Sequence, residues 1–99
     1  MTTRIQRSSG DVFRDLGFEP EEAENLRLRS QLMIELSKLI NARRLTQAEA
    51  AKMLGVTQPR VSDLMRGKIE RFSVDSLVEM IGRAGRRVRL TMTRRGKVA

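Results

Sequence analysis

The segment from Thr46 to Lys68 leaves this chain little choice of fold. Thr46, Gln47, Ala48 and Glu49 have the spacing of a capping box: the Thr hydroxyl accepts from the third helical amide while Glu49 reaches back to the cap. The helix they start is expected to run to Leu54 and stop at Gly55, which can adopt the positive φ of a tight reversal. Thr57 is the expected cap of a second short helix. Pro59 is tolerated there because first-turn amides have no partner within the helix. Gly67 closes that helix. Ala51 is small where the two helices must cross. Val56, Val61 and Leu64 can pin the second helix to a core that also takes Ala50 and Leu54. Two short helices around a glycine-containing corner make a helix-turn-helix.

The flanking sequence supplies the rest of an all-α domain. Asp11 to Gly17 fits one or two helical turns, with Val12, Phe13 and Leu16 as a small apolar face and Gly17 as the stop. A long helix is expected from Pro20. Proline suits a first turn, and Glu21, Glu22 and Glu24 suit the positive end of the helix dipole. Apolar residues at 26, 32, 33, 36, 39 and 40 give it a stripe, and Arg43 and Arg44 stand at its negative end. Ser73 caps a last helix, with Asp75 near its start and Gly85 at its end. From Arg87 to Arg94 apolar and polar residues alternate strictly, which is a strand signal. The expected architecture is therefore five helices and a short C-terminal β-strand. Residues 1–10 form a flexible N-terminal segment, 11–85 the helix-turn-helix domain, and 86–99 a basic strand or tail.

Composition narrows the function. Ninety-nine residues make one domain with a modest core, too small for a deep catalytic cleft. The chain has no Cys and no His. That removes disulfides, thiolate nucleophiles, the usual general base and the commonest metal ligands. No enzyme, cofactor or metal is expected. With three Phe and no Trp or Tyr, the chain lacks an aromatic platform for stacking several bases. Twenty Lys and Arg against twelve Asp and Glu give a net charge of +8, the balance of a chain that meets a polyanion. The excess is uneven: residues 19–35 carry −3, residues 36–72 carry +5 and residues 73–99 carry +5. A polyanion would dock on the second half. Apolar runs last only a few residues, so no membrane partner is expected. The polar run from Met1 to Gly10 has no signal-peptide core, and the expected location is cytoplasmic.

The start of the second short helix is the candidate recognition surface. With Val61 and Leu64 turned inward, Thr57, Gln58, Pro59, Arg60, Ser62 and Asp63 are left outward. Gln58 can pair with adenine N6 and N7, Arg60 with guanine O6 and N7, and the Thr57 methyl can touch a thymine methyl. Gln47, Arg43, Arg44, Ser62, Arg66, Lys68 and Arg71 bracket this face as candidate phosphate contacts. The plainer reading is an αα-hairpin that only packs. It leaves unexplained why caps, glycine and apolar positions coincide with a basic surround.

The ungapped run from Leu45 to Lys68, through Thr46-Gln47-Ala48-Glu49, Gly55-Val56-Thr57-Gln58 and Val61-Ser62-Asp63-Leu64, resembles the DNA-binding core of the Xre family, the relatives of phage repressors and Cro. The flanks from Asp11 to Phe18 and from Phe72 to Val78 are similar to the Xre subfamily that holds HigA-type antitoxins and related small regulators. The resemblance covers roughly residues 11–92. It implies that Gln47 bonds a phosphate and buttresses Gln58, and that Thr57, Gln58 and the residues at 59 and 63 face bases. Two positions depart from the phage pattern. Pro59 can offer only apolar contact. Asp63 is acidic where a neutral amide is common: it either accepts from cytosine N4 or pairs with Arg60 or Arg66 on its own helix, and the pairing is favoured.

Together these features imply a sequence-specific double-stranded-DNA-binding regulator, a repressor. The subfamily resemblance extends this to the antitoxin of a toxin–antitoxin pair that represses its own operon, with a small toxin protein as partner. The alternatives are a stand-alone phage-repressor-like regulator and a nonspecific RNA- or polyanion-binding protein. A lone strand cannot satisfy its own backbone groups, and Thr2 to Gln6 is a poor second strand. The tail is therefore expected to pair outside its chain. The simplest partner is its own copy in a homodimer, and the rival is the edge strand of a toxin. A third route is dimerisation through Leu77, Val78 and Ile81 of the last helix.

Overall fold

Four α-helices and one 3₁₀ turn follow one another: α1 (Pro20–Ala42), α2 (Gln47–Leu54), α3 (Gln58–Met65), the turn Ile69–Arg71, and α4 (Val74–Arg83). The computed structural model describes residues 16–94. α1 starts as its sequence dictates, with Pro20 in the first turn beside Glu21 and Glu22. Its inward face carries Ala23, Leu26, Leu32, Met33, Leu36 and Ile40. α1 packs against α3, α4 and the 3₁₀ turn, while α2 packs against α3 and α4. Leu36, Ile40, Leu54, Val61, Leu64 and Leu77 are almost fully buried, so every helix contributes to one core.

Two of the three short helices carry the caps their sequences specify. At α2 the Glu49 amide donates to Thr46 Oγ1 at 3.1 Å, and the Thr46 amide donates to Glu49 Oε1 at 2.8 Å. At α4 Ser73 and Ser76 exchange the same pair of bonds at 3.1 Å each. α3 differs from expectation. Thr57 occupies the cap position with extended backbone, but its side chain makes no capping hydrogen bond.

All four helices close in the same way. Leu45 donates to the Ile40 carbonyl at 3.2 Å, Val56 to Ala51 at 3.0 Å, Lys68 to Asp63 at 3.0 Å and Arg86 to Ile81 at 3.1 Å. These are the long bonds of Schellman motifs, which need a left-handed residue at the turn. Gly55, Gly67 and Gly85 hold that position in three of them; at the end of α1 it is Arg44, with φ 56°. α1 therefore stops at Ala42 and does not continue through Arg44. A non-glycine residue in this region costs about 1–2 kcal/mol.

One expected element is corrected, and another falls mostly outside the described residues. No β-strand forms among the described residues, and residues 86–94 carry no regular structure. The alternating tail has no second strand in its own chain to complete a ladder. Val88, Leu90 and Met92 stand 39%, 79% and 86% exposed. The described part also has four α-helices, where five were expected over the chain. Most of the expected first helix, residues 11–15, lies outside the described residues, as does the candidate strand from Thr2 to Gln6. Leu77 and Ile81 are buried in the protein's own core, which leaves only Val78 of the three α4 residues exposed to a partner.

Candidate nucleic-acid interface

The corner between α2 and α3 positions everything else. Gly55 has φ 70°, and a Cβ built there would lie 2.9 Å from Arg83 Nη1 and 3.1 Å from Arg83 Cδ. Arg83 reaches from α4 across the turn, but its exposed side chain can shift aside, so it is the left-handed backbone that the corner needs glycine for. Val56 packs against the core just after it.

α3 presents its faces by simple rotation of about 100° per residue. Val61 and Leu64 are buried and fix the inward direction. The opposite direction is centred on Pro59 and Arg66, with Ser62 and Asp63 beside them. Thr57, Gln58, Pro59 and Arg66 are exposed, while Ser62 and Asp63 are half-buried. Gln47 is the first residue of α2, as Gln58 is of α3, and both are exposed. The two glutamines share no hydrogen bond in this structure, so the implied buttress is not formed here.

Arg60 is placed otherwise than expected. It lies to the side of the outward face, and its guanidinium folds back over the buried Phe72 ring, 4.2 Å from the centroid. Its Nη1 donates to the Arg71 carbonyl at 2.6 Å. Asp63 is paired, as favoured, but with a different partner: Arg71 Nη1 approaches Asp63 Oδ2 to 3.3 Å, in place of Arg60 or Arg66. From the other side Arg29 of α1 donates to the Ile69 and Phe72 carbonyls at 3.2 and 3.1 Å, and to Asn25 Oδ1 at 2.8 Å. Two arginines thus hold the carbonyls of the 3₁₀ turn, and the turn holds α3. Replacing Arg60 with Ala removes a charge-assisted hydrogen bond and a cation–π contact. We expect a loss of about 1–2 kcal/mol, read as a lower urea midpoint.

The candidate phosphate contacts divide in two. Arg43 is tied down: Nη2 donates to the Ala84 carbonyl at 3.2 Å and Nη1 to Met53 Sδ at 3.2 Å. A cation suits the carbonyl end of α4. Arg71 is engaged by Asp63. The side chains of Arg44, Arg66 and Lys68 have no partner among the described residues. Lys52, exposed on α2, is equally free and was missing from the expected set. Neither Arg29 nor Phe72 was singled out by sequence. Their partners lie up to 43 residues away, and no local spacing signals such a contact.

Residues 12–93 match the family model of a helix-turn-helix domain. The chain is also similar to a solved structure whose name assigns it to the XRE family of transcriptional regulators. The two share 34% identity over 79% of this chain and 90% of that chain, with a TM-score of 0.70. The chain belongs to the Xre-type helix-turn-helix family. No curated protein matches it. In this Xre-type domain the candidate recognition corner is α2 and α3. Among the described residues no hydrogen bond or ion pair engages the side chains of Thr57 and Gln58 at the start of α3, nor those of Arg44, Gln47, Arg66 and Lys68. Among the described residues no cluster of carboxylates could hold a metal ion, and no helix is long and apolar enough to cross a membrane.

Proposed function

We propose that this protein is a sequence-specific double-stranded-DNA-binding transcriptional regulator that acts as a repressor. One observation carries the reading. The start of α3 offers exposed Thr57, Gln58 and Pro59 on a helix pinned from behind by Val61 and Leu64. A helix of this width fits the major groove, where Gln58 can pair with adenine and Thr57 and Pro59 can meet a thymine methyl. Arg44, Gln47, Arg66 and Lys68 are the phosphate contacts of this reading. Arg60, Asp63 and Arg71 act behind them by holding the helix and its flanking turn, and Arg43 ties the end of α1 to Met53 of α2 and to the end of α4. Repression follows from occupying the operator, in the cytoplasm.

Gln58→Ala tests it. Losing a bidentate base contact should weaken cognate binding by about 1–3 kcal/mol and relax preference at one position. The folding midpoint should not move, because Gln58 is exposed. Equal affinity of the variant and the parent for cognate DNA in a mobility-shift series removes the assignment. Equal affinity of the parent for scrambled duplexes favours nonspecific polyanion binding instead.

The finer reading is that the protein is the antitoxin of a toxin–antitoxin pair and represses its own operon. Its support is the resemblance of the segment from Phe72 to Val78 and of the N-terminal flank to HigA-type antitoxins. A small basic toxin encoded in the adjacent gene should co-purify with this chain. Absence of binding to such a neighbour leaves the stand-alone regulator.

A further inference from the structure

We propose that Arg29 of α1 is a positioning residue for DNA recognition: it meets no DNA itself and fixes the turn that follows α3, from Arg66 to Phe72. The inference rests on the DNA-binding reading and extends it to a residue outside the helix-turn-helix. Lys68 and Arg71 lie in this turn, which is held from within only by short-range backbone bonds. Ile69 donates to the Gly67 carbonyl at 2.8 Å, Arg71 to Lys68 at 3.0 Å and Phe72 to Ile69 at 3.2 Å. Arg60 ties the Arg71 carbonyl to α3. Arg29 ties the turn to α1.

The guanidinium of Arg29 is half-buried and its donors are spent inward. Nη1 donates to the Ile69 carbonyl at 3.2 Å and to the Phe72 carbonyl at 3.1 Å, while Nε donates to Asn25 Oδ1 at 2.8 Å. Asn25, one helical turn earlier, fixes the plane of the fork. The two carbonyls stand at the start of the 3₁₀ turn and just past its end, so one side chain of α1 holds it at both sides. The link continues into α3. The Lys68 amide donates to the Asp63 carbonyl at 3.0 Å, and Arg71 Nη1 reaches Asp63 Oδ2 at 3.3 Å. Asp63 lies beside Pro59 and Arg66 on the outward side of α3. A continuous path therefore runs from α1 through the turn to the helix that carries Gln58. The residue type agrees with this role. A buried charged group adds little to stability over a well-packed apolar one. A lysine carries the same charge, but one ammonium lacks the rigid planar fork that meets two carbonyls and an amide oxygen together.

Arg29→Met keeps the apolar stem and removes the donors. Under conditions where the variant is fully folded by circular dichroism, its affinity for cognate DNA should fall roughly tenfold, the worth of one or two hydrogen bonds. The salt slope should stay at the parental value, because no phosphate contact is lost. Arg29→Lys should lose as much although it keeps the charge. Asn25→Ala keeps the guanidinium but frees its Nε, and should weaken binding by less. Arg29→Met should cost less in an Arg71→Ala background than in the parent, since both act through one turn. A second readout needs no DNA. Amide exchange at Lys68 and Phe72 should quicken about tenfold in Arg29→Met, while exchange at Leu54 and Ile81 stays as it was. A shallower salt slope, or rescue by Arg29→Lys, means that Arg29 meets phosphate directly. Parental affinity in the folded variant means a structural role only, and unchanged exchange at Lys68 and Phe72 means that the turn does not depend on Arg29. Each of these overturns the proposal. Equal binding of cognate and scrambled duplexes by the parent overturns the sequence-specific reading instead, and the exchange data still decide whether Arg29 holds the turn.

Discussion

Raising salt from about 50 to 200 mM should weaken specific DNA binding by roughly 10³ to 10⁴, with log K falling against log salt at a slope of about −5 to −7. The estimate assumes about six to eight phosphates neutralised per dimer, each releasing a counterion. Arg44, Arg66 and Lys68 have side chains with no partner among the described residues, and two copies of that set supply six cations. Arg66→Ala should make the slope shallower by about 2 per dimer and weaken all sequences alike. Arg43→Ala is the contrasting variant. Its guanidinium is spent on the Ala84 carbonyl and Met53 Sδ. It should leave the slope alone and lower the folding midpoint instead. A slope near zero in the parent protein would mean that the positive charge serves another partner.

The largest effect on folding is expected from Leu54→Ala. Leu54 is the last residue of α2, lies fully buried in the common core, and immediately precedes the Gly55 corner. Truncation loses transfer free energy and leaves a cavity that close-packed neighbours fill only in part, a cost of about 2–5 kcal/mol. Against the ~5–15 kcal/mol typical of a whole domain, that removes a large share of the stability. Urea denaturation should show the drop, and DNA binding should fall with the folded fraction. A change below about 1 kcal/mol would contradict the packing of α2 against α3 and α4. Gln58→Ala supplies the control in the opposite sense, with binding impaired and folding intact.

How much of this was legible in sequence depends on the reach of each interaction. The capping boxes at Thr46 and Ser73 are completed within three residues. Glycine at 55, 67 and 85 marks three helix ends because the left-handed position is within the same turn. The end of α1 breaks that rule, since Arg44 takes the left-handed position with no glycine to announce it. The cap at Thr57 is half right. Its position is correct, but its hydroxyl makes no capping hydrogen bond.

By itself the sequence determined the α-helical class, the α2–α3 corner, the faces of α3 that go inward, and the basic character of the second half. All of these follow from bonds and periodicities that close within a few residues. Only the tertiary structure decided which arginines remain available. Arg60 went to the Arg71 carbonyl and the Phe72 ring, Arg71 to Asp63, and Arg43 to the end of α4, across 8 to 41 residues of chain. A guanidinium looks the same in sequence whether it meets a phosphate or a carbonyl, and its partner depends on which backbone the packed helices bring within reach. The tail shows the same limit from the other side: its alternation is written in the sequence, but a ladder needs a second strand that the described part of one chain does not contain.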